Sequence, residues 1–158
     1  MQRVVLPKMP VSAQVTLFGG ERVSGDFFVA AASPQHAGTE TLLELLNDNS
    51  RSFVPFQTEE GMFLLNRMSV RTVEFDSPEM VEIFNRPDNE CIFGLQLYMR
   101  AEPEPVSIQG FCYTGDLRPD GQRPVDLLNS AEMFLLIYTV DGKLIVCNKM
   151  AVSHATVE

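Results

Sequence analysis

Three polar side chains in the last third of the sequence could orient a small ligand. Arg123, Asp126 and Asn129 bring a guanidinium, a carboxylate and an amide into one short segment, and Arg118 lies in the turn-rich loop Gly115–Pro124 just before them. Close together, these groups could form hydrogen bonds to the polar atoms of a ligand. The structural alternative, which we favour, is that Asp126 caps a turn or pairs with Arg123 while Asn129 fixes the next turn.

The sequence predicts no catalytic residues. Ser153 and His154 are neighbours in a strand pattern, so they are expected to point to opposite faces, and His36 lies in a loop. A Ser-His-Asp arrangement therefore cannot be assembled from either histidine. No GxSxG, GxxxxGK[ST] or GxGxxG motif is present. We expect a protein that is not an enzyme and that holds no cofactor.

The cysteines favour buried, reduced thiols. Cys91, Cys112 and Cys147 are odd in number, lie far apart among apolar residues and form no CxxC pair. Metal ligands would have to cluster, and neither histidine is near a cysteine in the sequence. This pattern predicts neither disulfides nor a metal site, and it is typical of a cytoplasmic protein.

Composition argues against two classes of partner. The chain of 158 residues has a formal net charge of −9, spread along its length without a basic patch, so binding to nucleic acid through its phosphates is disfavoured. The sequence contains no run of about 18 apolar residues, so no membrane span is expected. The segment before Pro10 is too short to contain a signal-peptide core. We expect a protein of the cytoplasm.

The elements that must position these residues occur twice. Glu44–Asn47 (ELLN) is repeated as Asp126–Asn129 (DLLN). Each copy continues to a phenylalanine-led apolar run, a glycine turn and an Asn-basic-Met-small-Val ending. Gly110 in the second copy corresponds to Gly25 in the first. Strand patterns around a glycine bend, with a short leucine helix, predict one small β-rich unit per copy, with the Leu-Leu pairs in its core.

A helix is predicted between the copies. Ser77 is a suitable N-cap, Pro78 occupies the first helical position and Pro87 ends the segment. Met80 and Phe84 are among the apolar residues of this helix. They are expected either to dock on one of the repeats or to contact a partner.

The order of motifs resembles that of an uncharacterised bacterial family of small Sm-like domains, which are SH3-like barrels. The shared pattern is a glycine strand, a loop that contains a basic residue, acidic-Leu-Leu-Asn, a phenylalanine strand, and Asn-Lys or Asn-Arg before a final valine strand. The second copy carries it most fully, in Arg123–Asn129, Phe134, Asn148–Lys149 and Val152, whereas the first copy has Thr41 in place of the arginine. The resemblance implies a fold and a bacterial origin, but no activity.

We therefore predict a mainly β protein of two tandem Sm-like or SH3-like barrels, each with a short helix, joined by a connector helix. The expected boundaries are residues 1–76 for the first repeat, 77–90 for the connector and 91–158 for the second repeat. The two copies are expected to pack in a pseudo-twofold arrangement and to allow further self-association.

The predicted function is a non-enzymatic protein-interaction or scaffold module of a bacterial cytoplasmic assembly. Small barrels leave sheet edges available to another chain. An exposed docking patch could include Met9, Met62, Met80, Met99 and the phenylalanines. The residues predicted to contact a partner are Arg118, Arg123, Asp126, Asn129, Met80 and Phe84. Two alternatives stay open: a sensor of a small ligand such as a nucleotide or metabolite, and an Sm-type RNA binder that uses Asn66-Arg67 and Asn148-Lys149.

Overall fold

The structure is a computed structural model that describes residues 7–33, 38–85, 92–100, 107–113 and 123–157. Within these ranges the chain is mainly β, as predicted, and ten antiparallel strands form one continuous sheet. The strands are β1 (Lys8–Leu17), β2 (Arg22–Ala30), β3 (Phe53–Thr58), β4 (Gly61–Asn66), β5 (Val70–Phe75), β6 (Ile92–Met99), β7 (Ser107–Tyr113), β8 (Phe134–Thr139), β9 (Leu144–Asn148) and β10 (Val152–Val157). The helices are α1 (Leu42–Asn47), α2 (Pro78–Phe84) and α3 (Pro124–Leu128), and 3₁₀ turns lie at Arg67–Ser69 and Lys149–Ala151. None of these described helices is long and apolar enough to cross a membrane.

The same series of elements occurs twice. The first half (β1–β5, with α1) and the second half (β6–β10, with α3) each run strand, strand, helix, strand, strand, 3₁₀ turn, strand. The sheet order β10-β6-β7-β8-β9-β5-β1-β2-β3-β4 gives the five strands of each half the same arrangement. Phe53 lies opposite Asn66 in the first half, as Phe134 lies opposite Asn148 in the second. These ladders define which residues of the two halves are equivalent.

The halves meet where β5 of the first half pairs with β9 of the second. The register sets Val73 opposite Val146 and Phe75 opposite Leu144. β5 is the last strand of its half and β9 is the fourth strand of its half, so the junction joins non-equivalent strands. The predicted pseudo-twofold packing is therefore wrong, because a twofold axis would pair equivalent strands. The halves follow one another head to tail, and the ladder of the described strands does not close on itself.

Helix α1 is fixed by a capping box. Thr41 Oγ1 accepts a hydrogen bond from the Glu44 main-chain N–H at 3.1 Å, and Glu44 Oε1 accepts one from the Thr41 N–H at 3.2 Å. The two bonds satisfy N–H groups that the first turn of a helix otherwise leaves unpaired. The leucines at 45 and 46 are buried, which confirms that this Leu-Leu pair fills the core.

Helix α2 packs on the sheet and does not project from it. Ser77 Oγ accepts a hydrogen bond from the Met80 N–H at 3.3 Å and Pro78 occupies the first turn, so the predicted N-terminus is confirmed. Met80 and Phe84 lie half-buried against the core. The Phe84 ring stacks on Tyr138 of the second half with a centroid distance of 5.4 Å. The connector is therefore part of the packed structure.

A glycine in each half allows two strands to approach closely. Gly25 and Gly110 occupy equivalent positions in their hairpins. A Cβ atom added to Gly25 would lie 2.4 Å from the carbonyl oxygen of Gln57, and one added to Gly110 would lie 2.3 Å from that of Tyr138. Both obstacles are main-chain atoms of the neighbouring strand, so only glycine fits at either position.

Buried apolar side chains form two clusters within the described residues. The first cluster contains the inward-facing residues of the first half together with part of the second half. The members from the second half that are completely buried in it are Phe134, Leu136, Leu144 and Val146. Leu135 and Ile137 belong to the second cluster, because successive side chains of β8 point to opposite faces. Strands β8 and β9 thus complete the core of both halves.

The buried cysteines should resist alkylation. Cys112 and Cys147 lie in the core, and burial raises the pKa of each thiol from 9.0 to about 12, while Cys91 lies outside the described residues. Since the thiolate is the reactive form, we expect neither buried thiol to react with iodoacetamide at neutral pH until the protein is denatured. Peptide mass spectrometry after timed alkylation measures this. Raising the pH toward 12 should increase labelling, and rapid labelling of the folded protein at neutral pH would contradict the burial.

Candidate functional site

At the junction between the halves, an asparagine side chain of the first half binds the main chain of the second. Asn47, the last residue of the ELLN segment, contacts the main chain of Phe134 across the junction. The Phe134 N–H donates to Asn47 Oδ1 at 2.8 Å, and Asn47 Nδ2 donates to the Phe134 carbonyl oxygen at 3.1 Å. The side-chain amide thus takes the place of a neighbouring strand for one residue of β8.

A second asparagine crosses the junction in the opposite direction. Asn148 is fully buried, and its Nδ2 donates to the carbonyl oxygen of Val70 at 2.9 Å. Its Oδ1 accepts a hydrogen bond from the Met150 N–H at 2.9 Å, which starts the 3₁₀ turn. Lys143 and Glu74 add an exposed ion pair at 3.8 Å, which contributes little. Each half therefore supplies one asparagine to the main chain of the other.

The hairpin of β3 and β4 leaves an apolar face exposed. Its members, which we call the hairpin patch, are Phe53, Pro55, Met62 and Leu64. They share one face because Pro55 lies opposite Leu64 and side chains alternate along each strand. Phe53 is 55% exposed and Leu64 is 67% exposed. β4 has no second neighbour among the described strands, so its edge and this face are both open.

The same four positions in the second half are buried. They are Phe134, Leu136, Leu144 and Val146, and none is more than 2% exposed. They are also the residues that complete the core of the first half at the junction. The hairpin patch is therefore apolar like the equivalent face at the junction, but no described residues bury it.

At the other end of the sheet, the residues of β10 are more exposed than the equivalent residues of β5. Val152 and Ala155 are only partly buried, and Val157 is 56% exposed. The equivalent residues of β5 are all buried at the junction: Val70, Val73 and Phe75. β10 also has a strand neighbour on one side only within the described part of the chain. Within the described residues, the sheet thus ends in two unpaired edges: β4, which is equivalent to β9, and β10, which is equivalent to β5.

Arg123 and Asp126 form a local cap, in line with the structural interpretation of this segment. The Arg123 N–H donates to Asp126 Oδ2 at 2.8 Å, and the guanidinium Nε lies 3.4 Å from the same oxygen. The main-chain hydrogen bond, with help from the guanidinium, holds the pKa of Asp126 below its usual range. Both side chains are exposed. Arg118 lies outside the described residues.

The other predicted contact residues lie elsewhere. Asn129 ends α3 and is exposed, and its side chain makes no hydrogen bond to any described residue, in contrast to the equivalent Asn47. Met80 and Phe84 lie on α2 and pack inward. The predicted residues therefore do not converge on one site within the described ranges.

The basic residues of the two Asn-basic pairs are turned inward. Arg67 is 5% exposed, and its Nη1 donates to the carbonyl oxygen of Leu46 at 2.7 Å. Lys149 Nζ donates to the carbonyl oxygens of Ser130 at 2.7 Å and Leu128 at 3.4 Å, and burial lowers its pKa. Each cation thus satisfies carbonyl groups at or just beyond the end of a short helix. This geometry does not favour RNA binding, which requires cations that face solvent.

Ser153 and His154 lie together, so the prediction that they point to opposite faces is wrong. The pairing register shifts between Val152 and His154, and a bulge breaks the alternation of side chains. Ser153 Oγ lies 2.7 Å from His154 Nδ1, and the imidazole stacks on Tyr98. No described carboxylate bonds to His154, so the third member of a catalytic triad is missing from the described structure; His36 lies outside it.

A groove on the first half is acidic. Its described lining includes the carboxylates of Asp26, Glu59, Glu74 and Asp76 and no lysine or arginine. Phosphate groups are bound by cationic side chains, so this groove does not suit a nucleotide. No group of three His, Cys, Asp or Glu side chains in the described residues is close enough to hold a metal ion.

No protein-family model, curated protein or solved structure matches the chain. The candidate site is therefore defined by geometry: the hairpin patch at one end of the sheet, and β10 with Asn129 at the other.

Sequence reasoning named Met62 and the phenylalanines as candidates for a docking patch but did not assemble the hairpin patch, although a signal was present. Met62–Leu65 is apolar at four successive positions, and a strand that is apolar on both faces is typical of one buried on both faces. β9 carries the same signal and is buried on both faces. Comparison of the two strands would have indicated that β4 requires a cover.

Proposed function

We propose that the protein is a non-enzymatic scaffold module that binds another protein chain through the hairpin patch and the adjoining edge of β4. One observation carries the proposal: four positions that are buried at the junction in the second half are exposed in the first. An apolar face beside an unpaired strand edge is a surface to which another chain can add a strand. No described cluster of side chains offers a competing catalytic arrangement.

We propose further that each half is a small barrel of the Sm-like or SH3-like type, and that the tandem pair acts in a bacterial cytoplasmic assembly. Three features of both halves support this fold: the strand order, the crowded glycine and the short helix before the third strand. Each half has a core cluster, and β8 and β9 contribute to both clusters.

The test is affinity purification of the tagged chain from its source cells, compared between variants. Met62→Ser combined with Leu64→Ser removes the apolar patch from exposed positions, so its partner proteins should be lost. The matched control is Met68→Ser with Met150→Ser, since these methionines are equally exposed, at 63% and 60%, but lie on the 3₁₀ turns. Retention of all partners by the patch variant, or a wild-type chain that emerges alone and monomeric, would contradict the proposal.

A further inference from the structure

We propose that the occupant of the hairpin patch is β10 of a second copy, so that chains join head to tail through a repetition of the β5–β9 junction. This inference rests on the proposed function and names its partner. β4 is equivalent to β9, and β10 is equivalent to β5. The operation that relates the two halves, applied once more, therefore brings β4 of one copy beside β10 of the next.

The register of the new junction follows from the existing one. In the existing junction Val73 lies opposite Val146, and their equivalents are Ala155 and Leu64. In the new junction Ala155 would therefore lie opposite Leu64, and Val157 would lie opposite Met62. The apolar face of β10 would then cover the hairpin patch. Neither strand contains a charged residue (GMFLLN and VSHATV), so no like charges meet. The lysines and prolines that usually protect a free edge are also absent from both strands.

Asn129 is positioned to repeat the contact of Asn47. Its equivalent target is the main chain of Phe53. The Ser52 carbonyl oxygen accepts the Arg67 N–H at 2.9 Å, so the next residue, Phe53, turns its own N–H and C=O away from β4. The equivalent groups of the second half point in the same direction and bind Asn47. Within the described ranges, neither the Asn129 side-chain amide at one end of the molecule nor the Phe53 peptide group at the other has a hydrogen-bond partner, so the two groups match.

Asn66 is positioned to repeat the contact of Asn148. Its Oδ1 accepts a hydrogen bond from the Met68 N–H at 3.0 Å, as Asn148 does from Met150. Its Nδ2 has no hydrogen-bond acceptor among the described residues. In the joined copies that acceptor would be the carbonyl oxygen of Val152, the equivalent of Val70. For each asparagine contact of the internal junction, the equivalent donor and acceptor groups thus lie at opposite ends of the molecule. Asn129 and Val152 lie at the β10 end, and Phe53 and Asn66 lie at the β4 end.

The proposed junction is heterologous, because each copy contributes a different surface. Such contacts continue from copy to copy until a ring closes or a filament forms. A discrete multiple of the 17.7 kDa chain mass would indicate a ring, and a mass that grows with concentration would indicate a filament. Both results support head-to-tail association.

The decisive experiment blocks each end separately and then mixes the variants. Leu64→Arg blocks the patch and Ala155→Arg blocks β10, so each variant alone should be monomeric by light scattering after gel filtration. An equal mixture should form dimers, because one intact patch and one intact β10 remain. Pairing of identical edges would not give this result. A wild-type chain that stays at 17.7 kDa at every concentration, or a mixture that stays monomeric, would overturn the inference.

A gentler variant keeps the test valid if an arginine disturbs folding. Asn129→Ala removes two predicted intermolecular hydrogen bonds from an exposed position, so the dissociation constant should rise about tenfold with unchanged melting temperature. Asn49→Ala, an exposed asparagine in the turn after α1, is the matched control and should change neither quantity. Equal dissociation constants for the two variants would count against the Asn129 contact.

Failure of this inference is distinguishable from failure of the proposed function. If the wild-type chain is monomeric but loses a different protein when Met62 and Leu64 become serine, the patch binds protein and the partner is not a second copy. If the patch variant loses nothing, both proposals fall.

Discussion

Replacement of Phe134 by alanine is expected to lower the free energy of unfolding by about 3–5 kcal/mol. The ring is fully buried, and it completes the core of the first half although it belongs to the second. Its removal leaves a cavity at the junction in addition to the lost burial of the ring. Urea denaturation measures the effect as a lower midpoint at an unchanged slope.

The matched control is Phe53→Ala at the equivalent position. Phe53 is 55% exposed, so in the monomeric Leu64→Arg background its loss should change stability by no more than about 0.5 kcal/mol. The two substitutions would then lower the free energy of unfolding by different amounts, because Phe134 is buried at the junction and Phe53 is exposed. Equal costs for the two alanines would contradict the burial of Phe134 at the junction.

Gly110→Ala is expected to cost about 2–4 kcal/mol, because its methyl group would overlap main-chain atoms. The added Cβ would lie 2.3 Å from the carbonyl oxygen of Tyr138 and 2.8 Å from the Cα of Thr139. A flexible side chain could move aside, but these atoms belong to the β7–β8 ladder, which must separate locally. Thermal or urea unfolding followed by circular dichroism measures the loss.

Gly19→Ala provides the comparison. No atom of the described residues lies within 4 Å of a Cβ atom at this turn position, and its φ is not in the left-handed region. The change should therefore be close to neutral, or slightly stabilising, because alanine restricts the unfolded chain. If Gly110→Ala proved as mild as Gly19→Ala, the close approach of β7 and β8 would be wrong.

Local chemistry explains why much of the fold could be predicted from the sequence. The N-cap at Ser77 and the glycines within the hairpin strands act through residues close in the chain. The repeat itself was visible because equivalent positions have kept their types, as at Asn66 and Asn148. These signals predicted the β class, the helix between the halves and the buried Leu-Leu pair of the first half.

The arrangement of the halves could not be predicted, because it depends on contacts between distant residues. ELLN and DLLN are almost identical, yet Asn47 is bonded across the junction and Asn129 is exposed. The difference lies in which strand happens to be adjacent in the sheet, and no local pattern encodes this. The predicted contact residues lie on α2, in α3 and at its two ends, and in the loop before it, whereas the hairpin patch lies on β3 and β4.

The shared core also constrains how the chain can fold during its synthesis. The inward face of the first half is covered by residues as far along the sequence as Val146. When only the first half has left the ribosome, Val73 and Phe75 still lack their partners on β9. Completion of this core must therefore wait until nearly the whole chain has been made, so the protein cannot follow the usual order in which an N-terminal unit folds first.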